Sequence, residues 1–318
     1  MKKDDFQYLL QLLKEYAGWV FTEDKYFIVD KKIYNFVREK GYASVEELIA
    51  DLKLGQKILV WQVVEALAMS DTSFYRDYNI FKGFENHILP QIRETNRGSK
   101  KFKIWSIGCS SGQEVYSIAF AIKKKLLNVG DWDIKILGTD ISTFAIQKAQ
   151  KGAYTQFEVQ MGLNARMIID NFHQEKGLWQ VNDDIMEMVE FRRYNLLEDL
   201  TYSDKYDIVF CRNVLRFFEA REQKKIMEKI YNRQTQGGFL YLGMDEKVAG
   251  LDELYTKVNG LPCLYQAKAG QVQTKTENTR TAAENKQETP SAADEMPSFK
   301  RPATLAYKHP VISDVLKK

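Results

Sequence analysis

The stretch Ile104-Trp-Ser-Ile-Gly-Cys-Ser-Ser-Gly-Gln-Glu-Val-Tyr-Ser-Ile118 decides the fold. It reads as a buried strand, a turn of small residues and the start of a helix. Gly108 and Gly112 let the backbone approach a ligand closely at the carboxyl end of the first strand, where open α/β sheets bind theirs. Strand-to-helix corners also use glycine for conformation alone, so the turn by itself leaves the ligand open. Two details narrow it. The spacing is not G-x-G-x-x-G and no Lys-Ser/Thr pair follows, which disfavours dinucleotide and triphosphate sites. Glu114 also puts a negative charge in the first helical turn, where a phosphate would otherwise sit. A cationic ligand without phosphate fits better.

Working outward, the apolar runs Lys103-Ile-Trp-Ser-Ile107, Ile134-Lys-Ile-Leu-Gly138, Tyr206-Asp-Ile-Val-Phe210 and Phe239-Leu-Tyr-Leu242 alternate with helical stretches near 113–127, 142–150 and 221–234. That alternation predicts βαβ units and a parallel sheet, so residues 102–268 read as an α/β domain of nucleotide-binding type. Residues 155–195, containing Trp179-Gln-Val181 and Met188-Val-Glu-Phe191, read as an insertion with short antiparallel strands. The second strand ends in Leu137-Gly-Thr-Asp140. Asp140 is placed either to accept two hydrogen bonds from a ribose diol or to cap the helix that starts near Ser142. An adenosine carrying a positively charged side group satisfies both carboxylates, and S-adenosylmethionine (SAM) is such a molecule.

Before residue 97 the pattern is different. Phe6, Leu9, Leu10 and Leu13, then Ile33, Phe36 and Val37, then Val45, Leu48, Ile49 and Leu52, then Ile58, Val60, Trp61, Val64 and Leu67 recur at helical spacing. Residues 1–96 therefore read as a small all-helical domain, with Ser44 and Glu47 forming a capping-box signature. The run from Glu94 to Lys101 reads as a linker. After Gly270 the chain carries four of its six prolines and no tryptophan, and residues 270–318 are expected to be a disordered tail whose partner, if any, is unspecified.

Composition excludes several classes. With 318 residues, 44% hydrophobic, the chain is neither a disulfide-stapled mini-protein nor wholly disordered. Its 46 Lys+Arg and 43 Asp+Glu give +3, but the segment from Gly270 onward holds 8 basic and 6 acidic residues, leaving +1 for the rest. No basic stripe tracks a phosphate backbone, so nucleic acid is not an expected partner. Met1–Tyr16 is amphipathic with early aspartates, unlike an export signal, and no run reaches the roughly 18 apolar residues of a membrane span. Cys109, Cys211 and Cys263, odd in number and far apart, suit a reducing compartment better than a disulfide framework or a zinc site. A cytoplasmic protein without membrane insertion and without a metal site is the expectation.

In combination the motifs resemble those of the chemotaxis receptor methyltransferases, the CheR type of protein-glutamate O-methyltransferase, over about residues 5–268. Thr72-Ser-Phe-Tyr-Arg76 looks like the family's T-x-F-F-R, Gly108-Cys-Ser-Ser-Gly-Gln-Glu114 like its G-C-S-T-G-E-E, and Gly138-Thr-Asp140 like its A-T-D. Glu158-Val-Gln-Met-Gly-Leu163, Asn195-Leu-Leu197 and Phe210-Cys-Arg-Asn-Val214 continue the match in order. The resemblance implies a Rossmann-like SAM-dependent methyltransferase domain behind the helical one. It implies that Ser70, Thr72 and Arg76 face the cofactor from the segment joining the two, with Gly108 at the glycine turn. Glu114 would hold the methionine amino end, Asp140 the ribose, and Asn195, Leu196, Arg212 and Asn213 would line the adenosine side. Asn195 and Asn213 are also suited to capping turns, and Arg76 to an interface ion pair. Phe74 and Tyr75 read as packing residues, Cys109 and Cys211 as small buried groups, and His87 and His173 carry no assigned chemistry.

The implied reaction carries a methyl group from a sulfonium to a glutamate side-chain oxygen, with S-adenosylhomocysteine (SAH) left behind and Arg76 orienting a carboxylate. Its acceptors would be the cytoplasmic helical domains of methyl-accepting chemotaxis receptors. Phe172-His-Gln-Glu-Lys-Gly-Leu-Trp179 lacks the extra glycine-containing loop of members that grip a pentapeptide tether, which suggests a tether-independent form. Several positions depart from the family. Gln113 replaces a Glu, Val115 a proline, Phe217 a tyrosine, and Met244 and Asp245 a His-Ser pair; Ser70 stands where some members have Asn. These departures keep a second reading open, a SAM-binding interaction protein without catalysis. A methyltransferase for another protein substrate is a third.

Overall fold

Strands form where apolar runs are buried on both faces of one sheet. The structure, a computed structural model, describes residues 1–69, 71–126, 131–199, 204–244 and 246–270. Ser70, Asp245 and the tail expected after residue 270 lie outside the described residues, apart from Gly270 itself. β1 (Lys101–Ile107), β2 (Asp133–Asp140), β6 (Val189–Arg193), β7 (Tyr206–Cys211) and β8 (Gln234–Leu242) are parallel, and β9 (Tyr255–Lys257) and β10 (Leu264–Ala267) add an antiparallel edge, in the order β6-β2-β1-β7-β8-β10-β9. Order reverses beside β1, so its carboxyl end borders the crevice in which such sheets place ligands.

Alternation along the strands decides what covers each face. Phe102 and Ile104 join Ile134, Ile136, Ile208, Phe210, Phe239 and Tyr241 in one apolar core. That core takes in the helical run α5 (Tyr78–Gly83), a π turn at Phe84–Ile88 and α6 (Leu89–Thr95), together with α7 (Gln113–Lys125) and α8 (Thr143–Lys151). Trp105 and Ile107 point the other way, into a second core with Val209, Cys211, Leu240, Leu242 and α12 (Ala220–Tyr231). Four N-terminal helices belong to this second core: α1 (Lys3–Ala17), α2 (Tyr26–Lys40), α3 (Val45–Lys53) and α4 (Lys57–Leu67). The stripes of α1, α2 and α3 follow the helical spacing, but α4 buries Leu59, Val60, Val63, Val64 and Leu67 and leaves Ile58 77% exposed, because its apolar residues are nearly continuous and the spacing alone does not pick the inward face. Ser44 caps α3 by accepting from Glu47 N, while the Glu47 carboxylate accepts the Ala43 N–H, one residue before the cap. The described residues form one compact unit.

The insertion holds β3 (Ala153–Tyr154), β4 (Phe172–Glu175) and β5 (Leu178–Val181) in an antiparallel sheet of order β3-β5-β4, with short helices α9 (Gln156–Gln160), α10 (Ala165–Asn171) and α11 (Asp183–Met186). Val189–Arg193, expected among these antiparallel strands, instead pairs parallel with β2 in the main sheet. A five-residue apolar run carries no mark of its partner, and only the register with Ile136–Asp140 settles it. A four-residue helix, α13 (Leu251–Leu254), precedes β9. Among the described residues no helix is long and apolar enough to cross a membrane.

Candidate active site

At the carboxyl ends of β1, β2 and β7 a cleft opens to solvent. Its floor is the β1–α7 turn. Gly108 takes φ +67°, and a Cβ there would lie 2.4 Å from Val214 Cγ2, so only glycine lets the β1 and β7 loops meet. Gly112 at φ +93° ends the turn, and a Cβ there would meet the Ala149 Cβ at 2.9 Å.

Two carboxylates define the polar character of the cleft. Asp140 accepts main-chain N–H groups from Ser110 and from Ser142, both at 2.9 Å, and thereby ties the β1 turn to the β2 turn. Ser142, not Asp140, caps α8 by accepting from Ala145 N. Burial pushes the Asp140 carboxyl above its usual range, while the donors of Ser142, Ser110 and Ile141 pull it back. Each of its oxygens keeps acceptor capacity for a further hydroxyl. Glu114, at the start of α7, accepts from Ser106 Oγ at 2.9 Å and from Arg212 Nη1 at 2.7 Å. Arg212, whose side chain is 2% exposed, also donates Nη2 to Asp77 Oδ2 at 2.6 Å and to the Arg76 carbonyl at 2.9 Å. Its Nε is buried and has no hydrogen-bond partner among the described residues.

The other sequence-predicted residues divide by what their side chains do. Thr72, Arg76, Gly108, Leu196 and Asn213 line the cleft together with Glu114, Asp140, Asn195 and Arg212. Arg76 is one-third exposed, and among the described residues its side chain holds Asp71, through the Asp71 carbonyl at 2.7 Å and carboxylate at 3.7 Å. The Asn195 side chain is committed to the backbone, donating to Tyr16 O at 2.9 Å and accepting from Leu197 N at 3.1 Å. Asn213 sits at φ +63°, and its N–H donates to Glu246. Phe74 and Tyr75 are buried packing residues, against Phe120, Tyr154 and Phe172 in one case and Phe81 in the other. Cys109 and Cys211 are buried, and burial drives both thiols well above their ordinary range. Of the departures from the family, Phe217 lines the cleft, whereas Gln113 is buried with its carbonyl on Ser111 Oγ and Met244 lies outside the lining.

Four cleft features escape sequence reasoning. Trp19 and Phe21, stacked with centroids 6.1 Å apart, form a wall from the segment after α1, and Phe217 packs edge-on against Phe21 at 5.6 Å. Tyr194 lines the β6 side. Asp77 lies behind Arg212. Glu246 gathers the loops after β7 and β8. The only local signals were an aromatic pair after the helix-ending Gly18 and an acid beside Arg76. Among the described residues, no cluster of His, Cys, Asp and Glu has the makings of a metal site.

A parallel sheet with a carboxylate at each of its first two strand ends, and no phosphate cradle, belongs to the class of Rossmann-like SAM-dependent methyltransferases. The profile described as "CheR methyltransferase, SAM binding domain" matches residues 70–262, and the chain belongs to that family. It is 33% identical over 270 residues to "Chemotaxis protein methyltransferase Cher2" of Pseudomonas putida, covering 83% of this chain and 98% of that protein. It is 32% identical over 269 residues to "Chemotaxis protein methyltransferase 1" of Pseudomonas aeruginosa, covering 83% and 98%. Among solved structures, the plantazolicin methyltransferase BpumL with a triazolic desmethylPZN analog and SAH superposes with a TM-score of 0.32 at 13% identity, over 70% of this chain and 62% of that one, too loosely to decide anything further. The protein is a SAM-dependent methyltransferase of the CheR family.

Proposed function

We propose that the protein transfers the SAM methyl group to glutamate side chains in the cytoplasmic helical domains of chemotaxis receptors, giving glutamyl methyl esters, and that it does so in the cytoplasm without a receptor tether. The observation that carries this reading is the pairing of two cleft carboxylates, Glu114 and Asp140, with a one-third-exposed, loosely held Arg76 on the same cleft. When bound, SAM supplies an activated methyl on a positively charged sulfur. Glu114 is the counter-ion for the ligand's ammonium and Asp140 the acceptor for its ribose hydroxyls, while Leu196 and Asn213 flank the adenosine. The Gly108 turn lets Val214 pack directly against the floor of the cleft.

A glutamate acceptor is already ionised at neutral pH, its pKa being about 4.3, so the site needs no general base. Rate comes from holding carboxylate and methyl in line and from keeping water out. Arg76 serves the first requirement by orienting the incoming carboxylate, and the walls of Trp19, Phe21 and Phe217 serve the second. Phe217 favours the second reading, binding without turnover, because it brings no hydroxyl to the cleft where the family pattern has a tyrosine. Incubation with methyl-labelled SAM and chemoreceptor-bearing membranes, followed by base-labile methanol release, separates the two. Label above a Glu114→Ala control supports catalysis; SAM binding without such label refutes catalysis on these receptors.

A further inference from the structure

We propose that Asp77 is a positioning residue that keeps Glu114 effective as counter-ion to a cationic ligand, a proposal that rests on the cleft's holding SAM. Glu114 has a buried competitor for any ammonium: Arg212 Nη1 at 2.7 Å. A lone Arg212–Glu114 pair would be neutral overall, and the buried guanidinium would repel a second cation. Asp77 changes that balance. Its carboxylate takes Arg212 Nη2 at 2.6 Å, so Arg212, Glu114 and Asp77 together keep one net negative charge for the ligand.

Two further observations show that Asp77 is diverted to this task. It stands at the N-cap of α5, where aspartate ordinarily accepts a helix N–H, yet its side chain makes no capping bond. It also adopts φ +58°, ψ +61°, a left-handed conformation that costs a non-glycine residue energy. In this conformation the Arg76 carbonyl and the Asp77 carboxylate both accept from the same nitrogen of Arg212. Strain and a forgone cap are together explained by the need to hold that guanidinium.

The test is isothermal titration of wild type, Asp77→Asn and Asp77→Glu with two ligands. SAH carries the ammonium; methylthioadenosine shares the nucleoside and thioether but lacks it. Asp77→Asn keeps the shape and removes the charge, so the SAH Kd should rise about tenfold while the methylthioadenosine Kd stays within about twofold. Asp77→Glu should recover most of the loss. Equal weakening of both ligands would reduce Asp77 to a structural role and overturn the proposal, as would an unchanged SAH Kd. Should Asp77→Asn fail to fold by thermal melt, Asp77→Gly, which takes the left-handed backbone without steric cost, carries the same expectations. Wild type failing to bind SAH would overturn the reading of the cleft, and the proposal with it.

Discussion

Replacing Glu246 with alanine tests how the cleft is held in shape. Its carboxylate gathers three main-chain donors: Oε2 accepts from Asn213 N at 2.9 Å and Gly243 N at 3.0 Å, and Oε1 from Arg216 N at 3.1 Å. The donors lie on the loops following β7 and β8, and one belongs to Asn213, held at φ +63°. A hydrogen bond to a charged group contributes about 1.5–3 kcal/mol, and a part-buried site lets water recover some of that, so about 1 kcal/mol per bond remains, or roughly 3 kcal/mol in all. For a fold of this size that corresponds to a fall in Tm of about 6–12 °C. Glu246→Gln offers a single acceptor oxygen and turns an amide N–H toward one of the donors, so about half the loss is expected. Relaxation of Asn213 also frees Val214 from its seat against Gly108, so the alanine variant should bind SAH about tenfold more weakly. Thermal melts with and without SAH, with titration calorimetry, measure both effects. A Glu246→Ala protein melting within about 1 °C of wild type with unchanged SAH affinity would refute the account.

Gly108→Ala should abolish SAH binding in calorimetry at a stability cost on the order of 2–4 kcal/mol, because the new Cβ meets Val214 at 2.4 Å in a left-handed backbone; binding within threefold of wild type would refute the turn's role. Arg76→Ala should lower methylation kcat/KM by at least about tenfold with Tm unchanged, since the partner Asp71 is 95% exposed and such pairs contribute about 0–1 kcal/mol; unchanged kcat/KM removes Arg76 from the mechanism. Burial raises the folded pKa of Asp140, so the stability it lends the empty protein is full below the unfolded value and is lost as pH rises through the folded one. Ligand hydroxyls favour its ionised form, so SAH affinity should strengthen as pH rises from the ordinary aspartate range towards neutrality; calorimetry giving a flat profile over that rise would exclude Asp140 as the acceptor.

What the sequence reveals and what it conceals follow from distance along the chain. Ile104–Ile107 and Tyr206–Phe210 are legible because strands covered on both faces read as nearly continuous apolar runs, here broken only by Ser106 and Asp207. Glu114 and Asp140 are legible because each lies within a few residues of a strand end whose position those runs mark. Asp77 acts on a group 135 residues away and nothing local distinguishes it from a surface acid, while Glu246 ends the Gly243–Glu246 run that resembles G-H-S-E, which does not reveal the donor it holds 33 residues away. β8 shows the same limit. Its polar start, Gln234-Thr-Gln-Gly, carries no strand signal, and Gln234 falls at the end of the predicted helix, yet Gln234 pairs with Tyr206 across a bulge before the apolar part takes up its register at Ile208. Propensity loses to a ladder that only the folded neighbour supplies.

The N-terminal helices are tied to the cleft at several points, which constrains any account of what they do. Asn195 binds the Tyr16 carbonyl at 2.9 Å, the Val20 N–H donates to the Phe217 carbonyl at 2.7 Å, and Lys14 pairs with Glu219 at 2.6 Å. Between these ties Gly18, at φ +71°, lets the chain pass so close that a Cβ would meet the Phe218 ring at 2.9 Å and Leu197 at 3.0 Å. The surface Lys14–Glu219 pair contributes little, but the other two fix the segment bearing Trp19 and Phe21 against the loops after β6 and β7. A protein partner that shifted α1 would therefore shift a cleft wall, and a ligand that ordered the wall would steady α1. A helical module that recruits partners without regard to the cofactor would not need its first helix fastened this way. The fastening favours a methyltransferase whose acceptor and cofactor meet across one continuous core.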